Sequence, residues 1–258
     1  MHHYFIDFSQ KDGRLFTIKK ELSEAQFQCI KKSSKRISQF KRDDSRIEIV
    51  NQSYLELMEV MDNISDNGKN LALRLTEFLS CSRKYLDNWQ THIDLTFGKN
   101  SNEFILFKEE TGYYYDNVSE YFFMYRLRNF DQHCEFVISK TIKGVYENGQ
   151  EYHKVLVSKN MLLNSGFHGW KKIDIDFIEK QDEDFEILPI IKKFYQCLIE
   201  IHNKIMTIHF TKDFFSDCVN ILNMVKEFDN NNDIYIGSTD IPIEDLITNK
   251  FLRHLLLR

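Results

Sequence analysis

Proline and glycine are scarce in this sequence, with 2 and 9 residues respectively among 258. Because both residues punctuate turns, their scarcity favours long helices over a turn-dense β-sandwich. The 5 cysteines are odd in number, scattered and without a C-x-x-C pair, which favours reduced thiols over a disulfide framework or a cysteine-based zinc site. No run of about 18 apolar residues could span a bilayer, and Met1–Asp7 lacks the features of a secretory signal. We therefore expect a soluble, cytoplasmic protein with no membrane partner.

An excess of positive charge is also missing, since the formal net charge is −5. This balance excludes a globally basic nucleic-acid coat protein, so any contact with nucleic acid needs a local patch or a small site. A Gly-rich phosphate loop, G-x-S-x-G and H-E-x-x-H are absent, which leaves nucleotide hydrolysis and the common hydrolase chemistries without support. His202 and His209 lie seven apart without a further ligand at metal spacing, so we interpret them as core or surface histidines. The sequence predicts no metal and no cofactor.

Aromatic residues, in contrast, are abundant, with 22 Phe and 12 Tyr, and the chain is long enough to bury a sizeable core. Apolar residues recur at helical spacing in several consecutive segments joined by short polar breaks. These segments are Arg46–Ile64, Asn70–Phe97, Asp116–Gln132 and Ile187–Phe228. The pattern predicts a mainly α protein built as a helical bundle.

Short strands are predicted at three places around this bundle. Tyr4–Phe8 and Arg14–Ile18 flank a turn signal at 11–13 and predict an N-terminal hairpin. A small β-insert is predicted at about 135–158, and Pro242 is expected to open a final helix after a short strand that begins at Ile234. We therefore expect an N-terminal extension over 1–43, a helical domain over 44–230 and a C-terminal tail over 231–258.

One stretch, Tyr121–Ser139, places polar groups directly after an apolar run. Its first part, Tyr121–Leu127, predicts a buried helix, and its last part, Cys134–Ser139, predicts a strand. Between them lie Arg128, Asn129, Asp131 and His133. Burying a charged guanidinium beside an imidazole is costly unless the charge has a partner or a use, so a functional site is expected here.

The chemistry offered by Arg128 and His133 is concrete. A guanidinium matches phosphate oxygens, and an imidazole can take or give a proton near neutral pH. Together they could promote attack of an RNA 2′-hydroxyl on the adjacent phosphate. Asn129 and His133 share a helix face, whereas Arg128 and His133 are about 140° apart on an ideal helix. Arg128 and His133 therefore meet only if the helix end unwinds or if two copies of the motif meet across an interface.

Two motifs together resemble the HEPN superfamily. R-N-F-D-Q-H at 128–133 is similar to the superfamily's R-x4-6-H signature, in which a polar residue, often Asn, follows the Arg. The string Arg74–Asp87, followed later by Tyr125–Leu127, resembles the sequences of one bacterial HEPN-like branch. In that branch a long helix with the string N-x-L-S-x-x-R-x-Y-x-D precedes a helix with the string L-R-N-x-x-x-H. The resemblance covers about Arg46–Phe228, and the insert after His133 departs from a minimal HEPN bundle.

The resemblance implies an all-α bundle that dimerises and places two Arg/Asn/His sets in one composite cleft. Many such domains are metal-independent endoribonucleases of toxin–antitoxin or anti-phage systems, so the implied partners are RNA, a second copy and an antitoxin or defence-system protein. Carried over by position, Arg128 would stabilise the scissile phosphate, His133 would act as general acid or base, and Asn129 would orient the site. Two alternatives stay open: a catalytically silent module that binds RNA or a partner protein, and a structural bundle whose motif is core polar pairing.

Other charged residues have weaker claims to a function. Asp131 could tune His133 or be a polar group at the helix end. A basic stretch within 31–42 is a solvated helix end or a surface that contacts RNA phosphates. Its candidate RNA contacts are Lys31, Lys32, Lys35 and Arg36. Arg74 and Arg83 are expected to pair with Glu77 and Asp87 along one helix, and 174–176 is expected to be a solvated strand edge.

Overall fold

A computed structural model of the chain describes residues 3–7, 17–62, 69–134, 136–145, 147–225, 234–238 and 241–247. This part of the chain is mainly α, as the sequence predicts. Its helices are α1 (Glu24–Asp44), α2 (Glu48–Asp62), α3 (Lys69–Phe97), α4 (Asn102–Asn117), α5 (Ser119–His133), α6 (Lys159–Asn164), α7 (Lys172–Glu179), α8 (Leu188–Met206) and α9 (Lys212–Val225). Its strands are β1 (His3–Asp7), β2 (Thr17–Leu22), β3 (Lys140–Val145), β4 (Glu151–Ser158), β5 (Asp184–Glu186), β6 (Ile234–Ser238) and β7 (Ile241–Ile247).

The chain divides into two compact units. Met1–Asp44 and Met206–Arg258 form the terminal unit, and Ser45–Ile205 forms the central unit. The first division lies next to the predicted boundary at residue 43. The second lies earlier than predicted, so that residues 206–230 group with the N-terminal segment.

The core of the central unit is organised around α3, which packs against α2, α4 and α5. One face of α3 is buried along its whole length, at the helical spacing that the sequence shows. This face includes Leu71, Leu75, Phe78, Tyr85, Trp89 and Ile93. Each such side chain contributes about 1.5–3 kcal/mol by leaving water, so the α3 face is a main source of the unit's stability.

Helix α5 carries the motif and is anchored at both ends by aromatic packing. Phe123 packs on Phe177 with ring centroids 5.0 Å apart, and Phe130 stacks on Trp170 at 5.6 Å. The helix continues through His133, and Cys134 follows in a non-helical conformation with its backbone N–H bonded to the Phe130 carbonyl. The buried helix predicted for Tyr121–Leu127 is confirmed, and its C-terminal turn is ordered rather than unwound.

The strand prediction for Cys134–Ser139 is wrong for the residues that the structure describes there. Pairing with β4 begins only where the Ser139 N–H donates to the Leu156 carbonyl at 3.0 Å, just before β3. Val137 is buried, which explains why the segment carries strand-like residues although it is a connection. The β-insert itself is confirmed as the antiparallel pair β3–β4, with β5 as a third strand that the sequence did not reveal.

The terminal unit contains a second sheet with the strand order β2-β1-β6-β7. β1 pairs antiparallel with β2, as the predicted hairpin requires, but β2 covers Thr17–Leu22 and not the predicted Arg14–Ile18. The turn signal at 11–13 lies outside the described residues. The final helix expected at Pro242 is wrong, because Pro242 lies in β7. Since β7 is an edge strand, a residue without a backbone N–H is tolerated in it.

Candidate functional site

The central unit has a cavity of about 820 Å³ where α3, α4 and α5 meet the start of α7. Five cationic side chains line it, namely Arg83, Lys108, Arg126, Arg128 and Lys171. Among the described residues that line this cavity, Asp87 is the only carboxylate. Four aromatic side chains complete the wall: Phe107, Tyr115, Tyr121 and Tyr125. A concave, cation-rich and partly aromatic surface is suited to a phosphorylated ligand with flat rings.

Arg128 and Asn129 both line this cavity, as residues of one predicted site should. The half-buried Arg128 donates from Nη1 to the Asn129 Oδ1 at 3.2 Å. Its Nε is buried without a hydrogen-bond partner, and no carboxylate in the described ranges forms an ion pair with it. Within the described ranges no acidic side chain therefore compensates the positive charge of Arg128, which favours an anionic ligand.

His133 lies apart from that cavity. It is the last residue of α5, its side chain is exposed, and it is not part of the cavity wall. Because α5 stays helical to its end, the helix does not unwind to bring His133 towards Arg128. The sequence left two arrangements open. The structure excludes the one in which the end of α5 unwinds within a single chain. The arrangement in which two copies of the motif meet across an interface stays a prediction.

Asp131 faces α3. Burial raises the pKa of the Asp131 carboxyl above its ordinary value, and a hydrogen bond with Thr76 of α3 lowers it in part. Its Oδ2 is buried and has no hydrogen-bond partner in the described part of the chain. The contact with Thr76 makes Asp131 part of the packing of α5 on α3. The tuning of His133 by Asp131 stays a prediction.

The cation Arg83 has two partners in the cavity wall. Its Nε donates to the Asp87 Oδ2 at 2.9 Å one helical turn later, which confirms the predicted pair. Its guanidinium carbon lies over the Tyr125 ring, 4.6 Å from the ring centre. A cation over an aromatic ring gains electrostatic attraction, so these two contacts together restrain the Arg83 side chain.

The cations Arg126 and Lys171 are held around Tyr115. Arg126 donates from Nη2 to the Tyr115 hydroxyl at 2.9 Å, and its Nε lies 3.6 Å from the Asp174 Oδ2. Lys171 lies over the Tyr115 ring with its Nζ 5.4 Å from the ring centre. Lys108 donates to the neutral Gln90 amide at 3.0 Å, a contact that does not compensate its positive charge.

The interpretation of 174–176 as a solvated strand edge is wrong. Asp174 is fully buried in the first turn of α7, where its Oδ2 accepts the Lys171 backbone N–H at 2.8 Å. Burial raises the pKa of its carboxyl. Asp176 is on the same helix and pairs with Lys172 at 2.9 Å. Helical N-capping, rather than solvation, explains why an acidic residue stands at 174.

Arg74, His202 and His209, which the sequence also singled out, have structural partners. Arg74 pairs with Glu77 at 2.7 Å, as predicted, and with Glu56. His202 is buried with its Nδ1 3.0 Å from the Tyr85 hydroxyl, so the interpretation as a core histidine is confirmed. His209 lies 3.0 Å from Asp43 within the terminal unit, again without a metal-ligand cluster. Among the described residues, no group of three or more His, Cys, Asp or Glu could hold a metal ion.

The basic stretch of α1 differs from the cavity in its surroundings. Lys31, Lys32 and Lys35 are exposed on the helix surface. Arg36 is half-buried and bonded through Nη1 to Asp217 of α9, which also accepts from the Ser33 hydroxyl at 2.8 Å. Arg36 thus has a structural role whatever the three lysines contact.

Three cations of the cavity were missed by sequence reasoning. Lys108 and Lys171 belong to no motif, and Arg126 stands in the Tyr125–Leu127 string but was not predicted as a site residue. Only the packing of α4, α5 and the start of α7 brings the three together. No protein-family model, curated protein or solved structure matches this chain. No helix within the described ranges is long and apolar enough to cross a membrane. A functional assignment therefore rests on the two motifs and on the chemistry of this cavity.

Proposed function

We propose that this protein is a metal-independent endoribonuclease of HEPN type that acts as a homodimer. The observation that supports this proposal is the cavity around Arg128, where five cations face one carboxylate. RNA is the polyanion that also brings flat bases to an aromatic wall. The toxin or anti-phage role in the cytoplasm, with an antitoxin or defence-system partner, follows from the family resemblance and belongs to the same proposal.

The proposed reaction is an intramolecular phosphoryl transfer within the RNA. The 2′-oxygen forms a bond to the neighbouring phosphorus while the bond from phosphorus to the 5′-oxygen breaks. The products are a 2′,3′-cyclic phosphate end and a 5′-hydroxyl end, and no further reactant is consumed. Arg128 stabilises the charge that develops on the phosphoryl oxygens, and Asn129 fixes the Arg128 guanidinium. His133 takes the 2′-hydroxyl proton or gives one to the leaving 5′-oxygen.

A composite site reconciles this chemistry with the position of His133. On one chain, Arg128 faces the cavity and His133 is exposed at the end of α5. If two copies of α5 meet near their C-terminal ends, His133 of one copy reaches a phosphate held by Arg128 of the other. Each dimer then contains two equivalent sites, as twofold symmetry requires.

The second candidate is a catalytically silent module that binds RNA. The specific observation in its favour is that His133 does not line the cavity of its own chain. Such a module uses the same cations and aromatic residues but needs no proton donor or acceptor. Such a module would bind RNA as tightly as the proposed ribonuclease would, but it would not cleave the RNA.

The test is incubation of the wild type, His133→Ala and Gln132→Ala with mixed RNA in EDTA, followed by analysis of the product ends. Gln132 is the exposed neighbour of His133 on α5 and serves as the matched control. We expect cleavage with cyclic phosphate ends by the wild type and Gln132→Ala. His133→Ala is expected to lose about 10²–10⁴-fold in rate, as removal of a general acid or base does.

A mixing experiment tests the two-chain arrangement directly. Arg128→Ala and His133→Ala are each expected to be inactive, whereas dimers formed from both contain one intact composite site. Mixing and re-annealing the two variants should therefore restore part of the wild-type activity. Inactive mixtures together with active wild type would place both residues of each site on one chain. RNA binding without cleavage by any variant would support the silent module.

A further inference from the structure

We propose that Arg83 is a stacking surface for one unpaired nucleobase, so that the cavity selects single-stranded RNA over duplex RNA. This inference rests on the proposed binding of RNA at the same cavity and adds a residue with a distinct task. It assigns the base to Arg83 and the phosphate to Arg128. Neither task requires the protein to read the identity of the base.

The Arg83 guanidinium is restrained by two contacts. Its Nε is bonded to Asp87 at 2.9 Å, and its guanidinium carbon lies over the Tyr125 ring at 4.6 Å from the centre. Tyr125 is itself buttressed by Tyr115, whose ring meets it edge-on with centroids 5.8 Å apart. Because these contacts already restrain the side chain, Arg83 loses little conformational freedom when a ring stacks on it.

The Arg83 side chain is also accessible from the cavity. It is 34% exposed and lines the cavity wall, although it contacts Tyr125. The exposed part of the side chain therefore borders the space where a ligand would lie. Flat guanidinium groups are established partners for unstacked bases in RNA recognition.

Arg83 and Arg128 differ in how their charge is compensated. Asp87 compensates the charge of Arg83, whereas Arg128 donates to the neutral Asn129 amide and pairs with no carboxylate among the described residues. A phosphate gains more from the uncompensated cation, because Asp87 would repel it near Arg83. Arg83 is left with its planar face as the main contribution to binding.

The shape of the ligand also favours an unpaired base. A base in a duplex is paired and stacked on its neighbours, so it offers no free face to Arg83. An unpaired base has two free faces and can enter a cavity of about 820 Å³ while its phosphates stay near the cations. The aromatic ring of a protein could stack in the same way, but the excess of cations around Arg83 favours the polyanion.

The experiment measures the affinity of the full-length protein for three labelled RNAs by fluorescence anisotropy. They are an unstructured single strand, the same strand with abasic sugars throughout, and the fully paired duplex. The variants are the wild type and Arg83→Lys, which keeps the charge next to Asp87 but removes the plane. Arg74→Lys is the matched control, since Arg74 is on the same helix, is also 34% exposed and ion-paired, and lies outside the cavity wall.

We expect the wild type to bind the base-bearing single strand about 5- to 150-fold more tightly than the abasic strand, the range that stacking of one base gives. Arg83→Lys should lose most of that ratio and keep its affinity for the abasic strand, and Arg74→Lys should behave as the wild type. An unchanged ratio in Arg83→Lys, or equal binding of all three RNAs, would overturn the stacking role while leaving RNA binding in place. Binding of none of the RNAs by the wild type would overturn the proposed function itself.

Discussion

Two regions of this protein concentrate basic residues, and they do so in opposite ways. In α1 the basic residues are close in sequence, and they lie along a helix whose lysines are exposed and whose Arg36 is neutralised by Asp217. In the cavity of the central unit the basic residues are far apart in sequence and converge on one concave surface. Only the second arrangement focuses positive charge where a ligand can be desolvated.

The difference teaches that cation density along a sequence and cation density in space are separate properties. A convex helix face spreads its charges into water and salt, where each one is screened. A concave wall with aromatic residues holds its charges at short distance from a bound phosphate, where each one contributes more. On this reasoning we propose the cavity, and not α1, as the main surface for RNA.

The largest difference between the two regions is expected when one arginine in each is replaced by alanine. Arg128→Ala should lower the rate of RNA cleavage by about 10²–10³-fold, because it removes a preorganised donor to the developing charge. Arg36→Ala should leave the rate per folded molecule unchanged. It should instead lower the free energy of unfolding by about 1–3 kcal/mol, because the half-buried Asp217 loses its charged partner and keeps only the Ser33 hydroxyl.

The measurements are the cleavage rate in EDTA and urea unfolding of both variants. Equal losses of cleavage in Arg128→Ala and Arg36→Ala, at equal stability, would remove the distinction between the two regions. A loss of stability in Arg128→Ala alone would indicate that Arg128 is a structural residue.

A smaller effect is expected from pairs of lysines. Lys108→Ala combined with Lys171→Ala should reduce the slope of log affinity against log salt by about 1.4, because each lost phosphate contact on single-stranded RNA is worth about 0.7. Lys31→Ala combined with Lys35→Ala should leave the slope unchanged, since both side chains lie on the exposed face of α1. Binding titrations at several salt concentrations decide between the regions, and the reverse result would place the RNA on α1.

The smallest effect is expected at Asp131, beside the site but turned towards α3. Because burial raises the pKa of this carboxyl in the folded protein, its ionised form costs folding free energy as pH rises through that pKa. Asp131→Asn should therefore raise the Tm by a few degrees at pH 7. The gain should disappear in acid, below the ordinary carboxyl pKa of about 3.9.

Thermal unfolding followed by circular dichroism across pH tests this, with the exposed Asp182→Asn as control. A Tm difference that is independent of pH would show that ionisation of Asp131 is not responsible. A shift of the pH–rate profile of cleavage in Asp131→Asn would instead support the predicted tuning of His133.

Much of the fold could be predicted from the sequence because helices leave a local signal. The apolar period of α3 and the four-residue spacing of Arg83 and Asp87 are properties of one segment, and both are confirmed. The strand at Pro242 was missed because proline at a helix start and proline in an edge strand look alike in sequence. Only the pairing of β7 with β6, a contact between strands, separates them.

The candidate site was predictable only in part, for the same physical reason. Arg128 and Asn129 are neighbours in a motif, and they do line one cavity. Lys108 and Lys171 come from other elements, and their approach depends on tertiary packing that leaves no local pattern. Asp174 was misread because an acidic residue after a lysine fits a solvated segment as well as the first turn of a helix.

The spread of the cavity cations along the chain has a consequence for the synthesis of the protein. The first of them is Arg83 and the last is Lys171, so the cavity cannot be complete until Lys171 has left the ribosome and folded with the earlier residues. The proposed ribonuclease would be synthesised on the ribosome, which is itself made of RNA, and beside its own message. Because its proposed RNA-binding surface needs Lys171, the growing chain would lack that surface until this residue has been added.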